Sequence, residues 1–223
     1  MAPEINQLQR SNRKTIAILV DGEGKVIVRA PHRVPMELIW DFVKSKQEWI
    51  EERKRAAKAR AKTPRHQFVE GEQFLVLGRR VPLLLVPATK GLRFDGGHFL
   101  LGTHQPGSET RLFEQIYKKI ARGHFTERLG SLSAQFGYHV GQFRLSSART
   151  RWGSCSTRGT ISLTWRLVMA PPDVIDYVIL HELAHLKFHD HSNNFWGEVK
   201  RMMPNYAEKR TWLKVHGQQL TLK

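Results

Sequence analysis

The segment YVILHELAHLKFHDHSNNFW, from Tyr177 to Trp196, constrains the fold of this chain more than any other stretch. It carries four histidines and a glutamate within an otherwise apolar, helical pattern. Burying so many titratable groups costs free energy unless something pairs with them. We therefore expect the segment to pack against a core while its polar side chains meet one another or a shared ligand.

The pentapeptide HELAH, from His181 to His185, matches the H-E-x-x-H pattern. Residues four apart on a helix lie on one face, one turn apart, so these two imidazoles can reach one Zn²⁺ at about 2.0–2.1 Å. Glu182 then points to the flank of the metal, where it can accept a proton from water held there. The apolar residues of the same helix place the pair against a core, which favours a metal site over a chance match.

A hydrolytic zinc site needs a third protein ligand and an open position for water. Three downstream side chains are candidates, namely His189, His191 and Glu198. If the helix continues, His189 lies about 12 Å along its axis from His181, too far to share a metal. If the helix ends near residues 188–190, a turn returns His191 toward the pair, and Glu198 on the next helix can also point back. The residues alone leave these alternatives open.

Several motifs together are similar to those of one known family. They are HELAHL, the HS-x-x-FW block at 191–196, RWGSC at 151–155, ISLTWRLVMAP at 161–171, the Pro-Asn-Tyr turn at 204–206 and the WLKVHG ending. Over nearly its whole length the chain resembles the YgjP-like metallopeptidase-type family, which is related to the SprT-like and WLM zinc peptidases. The combination of motifs is specific, whereas HELAH alone is not.

This resemblance implies one Zn²⁺ per chain, held by His181, His185 and His191, with Glu182 as the general base. It implies a zinc-dependent hydrolase that cleaves peptide bonds in a peptide or protein substrate. Thr164 departs from the family pattern, in which asparagine is usual, and can alter a substrate contact.

His189 and Asp190 are a second departure from that pattern, since methionine followed by asparagine is commoner at these two positions. Neither departure removes an expected ligand. Asp190 or Ser192 is also expected to cap the helix that follows.

The block RTRWGSCSTRGTISL precedes the metal helix, and the resemblance makes it a wall of the substrate cleft. An exposed strand edge there can pair with an extended substrate through main-chain hydrogen bonds. Arg149 and Arg151 are candidate substrate-binding residues, since guanidinium groups bind carboxylates, phosphates or a developing oxyanion. Cys155 offers a competing interpretation as a thiol nucleophile, although a small half-buried side chain explains it equally well.

The net charge of +16 and a pI near 10.4 predict attraction to acidic or phosphate-bearing partners. Two further functions follow from this charge. One is a metal-dependent nucleoside triphosphate pyrophosphatase, in which the same site hydrolyses a phosphoanhydride. The other is a DNA-associated protease that docks on nucleic acid through the basic helix end Arg53–Lys62. A basic surface that only keeps the protein in solution remains the simpler alternative.

The hydrophobic pattern predicts an α+β fold in two parts. Residues 1–104 are expected to form an N-terminal β-rich lobe with three hairpins and one basic helix over 35–62. Residues 105–223 are expected to form a zincin-like catalytic domain. Its expected parts are a long helix over 109–136, a small sheet over 142–168, the H-E-x-x-H helix opening near Pro172, and two short helices.

No apolar run approaches the roughly 18–20 residues that a membrane span requires. The N-terminal sequence lacks the apolar centre of a signal peptide. The single cysteine excludes an internal disulfide and fits a reducing compartment. We therefore expect a cytoplasmic protein with no membrane partner.

Overall fold

The computed structural model describes residues 4–61, 66–87, 89–102 and 107–222 and has a mixed α+β architecture, which confirms the predicted fold class. The chain forms two compact units, Met1–Pro64 and Arg65–Lys223. The predicted boundary after residue 104 lies in the segment 103–106, which is outside the described residues. The strands predicted for the N-terminal lobe beyond residue 68 group with the second unit instead, because their sheet shares its core.

The first unit contains a three-stranded sheet of order β1-β3-β2 and two helices. These elements are β1 (Gln7–Ser11), β2 (Ala17–Val20), β3 (Val26–Pro31), α1 (Met36–Ser45) and α2 (Gln47–Ala61). Strands β2 and β3 form the predicted hairpin, and the carboxylate of Asp21 accepts the backbone N–H groups of Glu23 and Lys25, both at 2.9 Å, in its turn.

The single helix predicted over 35–62 is present as two, because Lys46 leaves helical geometry and donates its N–H to Val43 O at 3.1 Å. Apolar residues from both helices, including Ile39 and Ile50, still share one core with β3.

The second unit begins with a four-stranded sheet of order β4-β5-β7-β6 followed by a long helix. The elements are β4 (Gln73–Val76), β5 (Arg79–Leu85), β6 (Leu92–Phe94), β7 (Phe99–Leu101) and α3 (Glu109–Phe136). Both predicted hairpins and the predicted helix are confirmed. Phe74 and Phe99 of the sheet pack on Phe113 of α3 at ring distances of 4.2 and 4.9 Å, so sheet and helix bury one continuous core.

The remaining elements build the region around the HELAH segment. They are β8 (Gln142–Ser146), β9 (Gly153–Cys155), β10 (Thr160–Thr164), a 3₁₀ helix (Trp165–Met169), α4 (Pro172–Ala184), α5 (Asn193–Met202), α6 (Tyr206–His216) and a 3₁₀ turn (Gly217–Gln219). The sheet order is β8-β10-β9, so β9 is an edge strand, antiparallel to β10.

Helix α4 is buried on almost every side. A helix that is apolar all round requires neighbours all round, and α4 contacts α3, α5, α6 and the β9–β10 ribbon. Two ion pairs fix its N-terminal half. Arg128 of α3 binds Asp176 with two hydrogen bonds of 2.9 and 2.7 Å, and Lys209 of α6 lies 2.7 Å from Asp173. Among the described helices, none has both the length and the apolar character to cross a bilayer.

Candidate metal centre and substrate cleft

The turn after α4 determines where the histidines lie. The α-helix ends at Ala184, and one further turn follows in which Phe188 donates its N–H to Ala184 O at 2.9 Å. Asp190 then accepts the N–H of Ser192 at 3.3 Å, and α5 begins one residue later. This reversal brings His191 back toward α4, as the hypothesis that His191 is the third metal ligand requires.

Three imidazoles converge at this turn. His181 and His191 bring their Nε2 atoms to 3.1 Å from each other. One ring nitrogen from each of His181, His185 and His191 lies within 4.8 Å of the others. Phe195 of α5 packs against all three rings, at centroid distances of 4.9, 4.5 and 4.8 Å respectively. The rings are therefore held together by packing on a single apolar side chain.

The electrostatics of the cluster suit metal ligation. Burial, and then the neighbouring His185 and His191, lower the pKa of His181 to about 3. Burial also lowers the pKa of His185, whose Nδ1 lies 3.0 Å from Phe188 O and can donate to it. Neutral imidazoles are the form that binds metals.

The facing ring nitrogens provide a direct test of fit. Nε2 of His181 lies 3.1 Å from Nε2 of His191. Burial keeps the His181 ring neutral, and the lone pairs of two imidazole nitrogens that face each other are suited to a shared cation. The residues present therefore fit a divalent metal such as zinc.

Glu182 is buried beside His181 and lines the same cavity. It is only 4% exposed, and its Oε2 has no hydrogen-bond partner within the part of the chain that is described. Burial raises the pKa of this carboxyl to about 8, while the positive charge of Arg151 opposes the rise. A carboxyl whose pKa lies near neutrality can both accept and deliver a proton.

Strand β9 approaches Glu182 closely at Gly153. A Cβ atom on this glycine would lie 2.7 Å from Glu182 Cγ and 2.8 Å from its Cδ, and closer still to Oε1. Glycine within a strand often marks such a close approach of the backbone. The family resemblance places RWGSC in the cleft wall but does not single out Gly153. A glycine within so short a strand is the sequence signal that could have indicated this close approach.

Replacing Gly153 with alanine should therefore displace the Glu182 carboxyl and lower kcat/KM for the reaction of this site by about 10–100-fold, since misplacement by about 1 Å carries a cost of that order. Metal content should stay at the wild-type level because no imidazole moves. Steady-state kinetics and metal analysis on the purified variant measure both effects. Gly130→Ala is the matched control, because nothing lies within 4 Å of a Cβ there. Wild-type kinetics in Gly153→Ala would contradict the packing argument.

A cavity of about 350 Å³ opens beside His181 and Glu182. Its other lining residues include Arg151, Trp152 and Gly153 from the β9 side and Tyr177, Arg210 and Lys214 from helices α4 and α6. Of the two predicted substrate-binding arginines, the structure brings only Arg151 to this cavity. Arg149 is exposed and is not among the lining residues, and its charge instead acts on Arg166, whose pKa is lowered mainly by burial.

The alternative third ligands lie apart from the imidazole cluster. His189 is exposed at the turn and is not one of the three described side chains whose possible ligand atoms converge. Glu198 is buried and accepts hydrogen bonds from Tyr138 at 2.6 Å and from Arg201 at 2.9 and 3.1 Å. These contacts, that of Arg201 first, lower the pKa of Glu198 to about 2. Glu198 therefore ties α5 to the end of α3.

The structure bears on two other hypotheses drawn from the sequence, those for Cys155 and Thr164. Burial raises the pKa of the half-buried Cys155 thiol, the opposite of what an activated nucleophile needs. Thr164, the departure from the family pattern, is buried and donates its hydroxyl to Ala148 O at 2.9 Å, so it has a structural partner.

Besides Gly153, sequence reasoning missed three further residues beside the site. Tyr177 lies one helical turn before His181 and lines the cavity, and the i, i+4 spacing could have indicated it. Trp196 stacks on His191 at 5.7 Å, and Arg210 lies over the Trp196 ring at 4.7 Å. Nothing in the local sequence signals that Arg210, on a later helix, reaches this cleft.

A buried helix with an H-E-x-x-H segment, a third imidazole returned by a turn, and an edge strand beside them are typical of metal-dependent hydrolases. The chain matches the family described as YgjP-like, metallopeptidase domain, over residues 14–216. It therefore belongs to the YgjP-like metallopeptidase family, which confirms the resemblance seen in the sequence, and it is a metallopeptidase-type hydrolase.

Comparisons with other known proteins add two solved structures. The metallopeptidase zymogen of Pyrococcus abyssi abylysin is 27% identical, with a TM-score of 0.37, covering 41% of this chain and 94% of that chain. The metallopeptidase zymogen of Methanocaldococcus jannaschii jannalysin is 20% identical, with a TM-score of 0.34, covering 44% of this chain and 95% of that chain. No curated protein matches the chain.

Proposed function

We propose that this protein is a zinc-dependent metallopeptidase in which His181, His185 and His191 hold one Zn²⁺ per chain and Glu182 is the general base. The observation that carries this proposal is the convergence of three imidazole nitrogens within 4.8 Å of one another, beside a cavity that Glu182 also lines. Membership of a metallopeptidase family supports a peptide or protein as the substrate.

Zinc suits this set of donors, since three imidazoles with an open position are a common catalytic zinc site. When bound, zinc supplies a Lewis acid that polarises the scissile carbonyl and lowers the pKa of water toward about 7. Phe195 closes the apolar side of the cluster, so the ring nitrogens of His181 and His185 keep their relative positions.

Glu182 is the group that moves the proton. Its carboxylate takes a proton from the attacking water and delivers it to the leaving amine. The side chain is buried and packed against Gly153, so its orientation is fixed before substrate arrives. A fixed orientation avoids reorganisation during the reaction.

The substrate is positioned by the edge strand and the cavity. Strand β9 has one side unpaired within its sheet, which allows an extended peptide to add as a neighbouring strand. Arg151 comes just before this strand and lines the cavity, so we assign a substrate contact to Arg151 and not to Arg149.

The single cysteine is consistent with a cytoplasmic location, which stays a prediction.

Nucleotide hydrolysis is the second candidate, since the cavity is lined by Arg151, Arg210 and Lys214, and cations attract phosphates. The nucleic-acid hypothesis has no comparable support. Its proposed docking surface, Arg53–Lys62, lies partly outside the described residues, and Lys54 within it is paired with Glu4 at 2.6 Å.

Purified protein tests the proposal through metal content and substrate choice. We expect about one zinc per chain, cleavage of an unfolded protein, loss of that activity on chelation and its return with added zinc. Nucleoside triphosphates should stay intact under the same conditions. Peptidase activity in metal-free protein, or zinc-dependent nucleotide hydrolysis with inert peptides, would overturn it.

A further inference from the structure

We infer that the cavity beside Glu182 is a specificity pocket for a carboxylate of the substrate, bound by Arg210 of α6 together with Arg151, which comes just before β9. The inference rests on the proposed peptidase function and names the feature by which this site chooses its peptide. Both guanidinium groups belong to residues that line the same cavity of about 350 Å³.

Aromatic packing fixes the position of Arg210. Its guanidinium carbon lies 4.7 Å above the Trp196 ring, within the range of a cation–π contact. Trp196 in turn stacks on Tyr206 at 5.4 Å and lies 5.7 Å from both His181 and His191. A guanidinium held over this tryptophan is therefore tied to the elements that carry the imidazoles.

The cavity brings two guanidinium groups together. Arg151 and Arg210 line it, and the one acidic residue among the lining residues is Glu182, which is buried. Within the described part of the chain, neither arginine forms an ion pair or hydrogen bond with a carboxylate. Neighbouring cations do have partners, as Lys209 of α6 has Asp173 and Arg201 of α5 has Glu198.

This contrast identifies the chemistry of the ligand. Like charges that converge on one cavity repel each other until an anion lies between them. The planar guanidinium presents paired N–H donors that match the two oxygens of a carboxylate. Stacking on Trp196 reduces the side-chain freedom that Arg210 would otherwise lose on binding.

In a peptide substrate such a carboxylate has two sources. One is an aspartate or glutamate side chain close to the scissile bond, and the other is the free C-terminus. The pocket recognises the carboxylate, which both sources share. A side-chain carboxylate corresponds to cleavage inside a chain, and a free C-terminus corresponds to cleavage near the end of a chain.

A matched set of fluorogenic peptides tests the inference on the zinc-loaded protein. The set contains a neutral, C-terminally amidated peptide, the same peptide with single glutamines changed to glutamate along its length, and the neutral peptide with a free C-terminus. We expect kcat/KM to be about tenfold or more higher for at least one anionic peptide, a typical effect of a charge-assisted hydrogen bond. The position of the favoured carboxylate identifies its source.

Arg210→Gln should lower the ratio of kcat/KM for the favoured anionic peptide to kcat/KM for the neutral peptide by about tenfold, to near one. Arg151→Gln should reduce the preference as well. Arg122→Gln removes the same charge from an exposed position on α3 and should keep the preference. The preference should also weaken as salt rises, since exposed charges are screened.

Binding of the same peptides to the Glu182→Gln variant, measured by fluorescence anisotropy, separates this inference from the proposed function. Tighter binding of anionic peptides that depends on Arg210 supports the pocket even if wild-type protein cleaves none of them. Cleavage without any preference for a carboxylate, or a preference that persists in Arg210→Gln, overturns the pocket and leaves the peptidase proposal standing. Equal affinity for neutral and anionic peptides overturns it as well.

Discussion

Glu182→Gln is expected to lower kcat/KM for peptide hydrolysis by about 10²–10⁴-fold, the usual contribution of a positioned general base. Glutamine has nearly the same shape as glutamate, so it fits between Gly153 and the cavity without disturbing the strand. It cannot take a proton from water at neutral pH. The loss should therefore appear in kcat, while zinc content and peptide affinity stay close to their wild-type values.

Kinetics, metal analysis and far-UV circular dichroism on the same preparation measure these three properties. Glu127→Gln, an exposed change on α3, is the matched control and should retain full activity. If Glu182→Gln turned over peptides at the wild-type rate, another group would have to be the base. If it lost zinc together with activity, the residue would hold the metal site together rather than move the proton.

His191→Ala is expected to weaken zinc binding by more than about 100-fold, because even changes to groups behind a ligand cost 10–100-fold. Peptidase activity should fall in parallel, to a level that excess zinc restores only in part. The side chain is exposed, so the metal-free variant should unfold at nearly the temperature of the metal-free wild type. Competition with a chromogenic chelator measures the affinity directly.

The turn provides a close control for that experiment. His189 lies two residues earlier and is exposed, but it is not a member of the imidazole cluster. His189→Ala should bind zinc as wild type does. Loss of zinc in His189→Ala with retention in His191→Ala would reverse the assignment of the third ligand, and loss in neither would leave the cluster with two protein ligands.

Local patterns predicted the parts of the site that one helix or one turn determines. The spacing of His181 and His185 places them on the same side of α4 whatever else the chain does. The three hairpins and α3 also follow from short-range signals, namely turn glycines and an apolar stripe. His191 was one of three alternatives from the residues alone, because the choice depends on where α4 ends.

Contacts between distant segments were beyond the reach of the sequence. The assignment of strands β4–β7 to the second unit depends on the aromatic core that Phe113 forms with them, more than ten residues away along the chain. The place of Arg210 depends on α6 packing against α4. The sequence also carries no clear signal that the basic helix divides at Lys46, since the helical spacing of apolar residues continues across this position.

The edge strand β9 is only three residues long, and one of the three is glycine. Exposed strand edges are sites at which chains pair with copies of themselves, and short edges limit this self-association. Because β9 is short, its backbone can pair with only a few residues of a substrate. Main-chain pairing here therefore contributes few hydrogen bonds and little sequence discrimination. We therefore expect a chain with so short an edge to recognise its substrates chiefly through side chains, namely those that line the cavity beside Glu182.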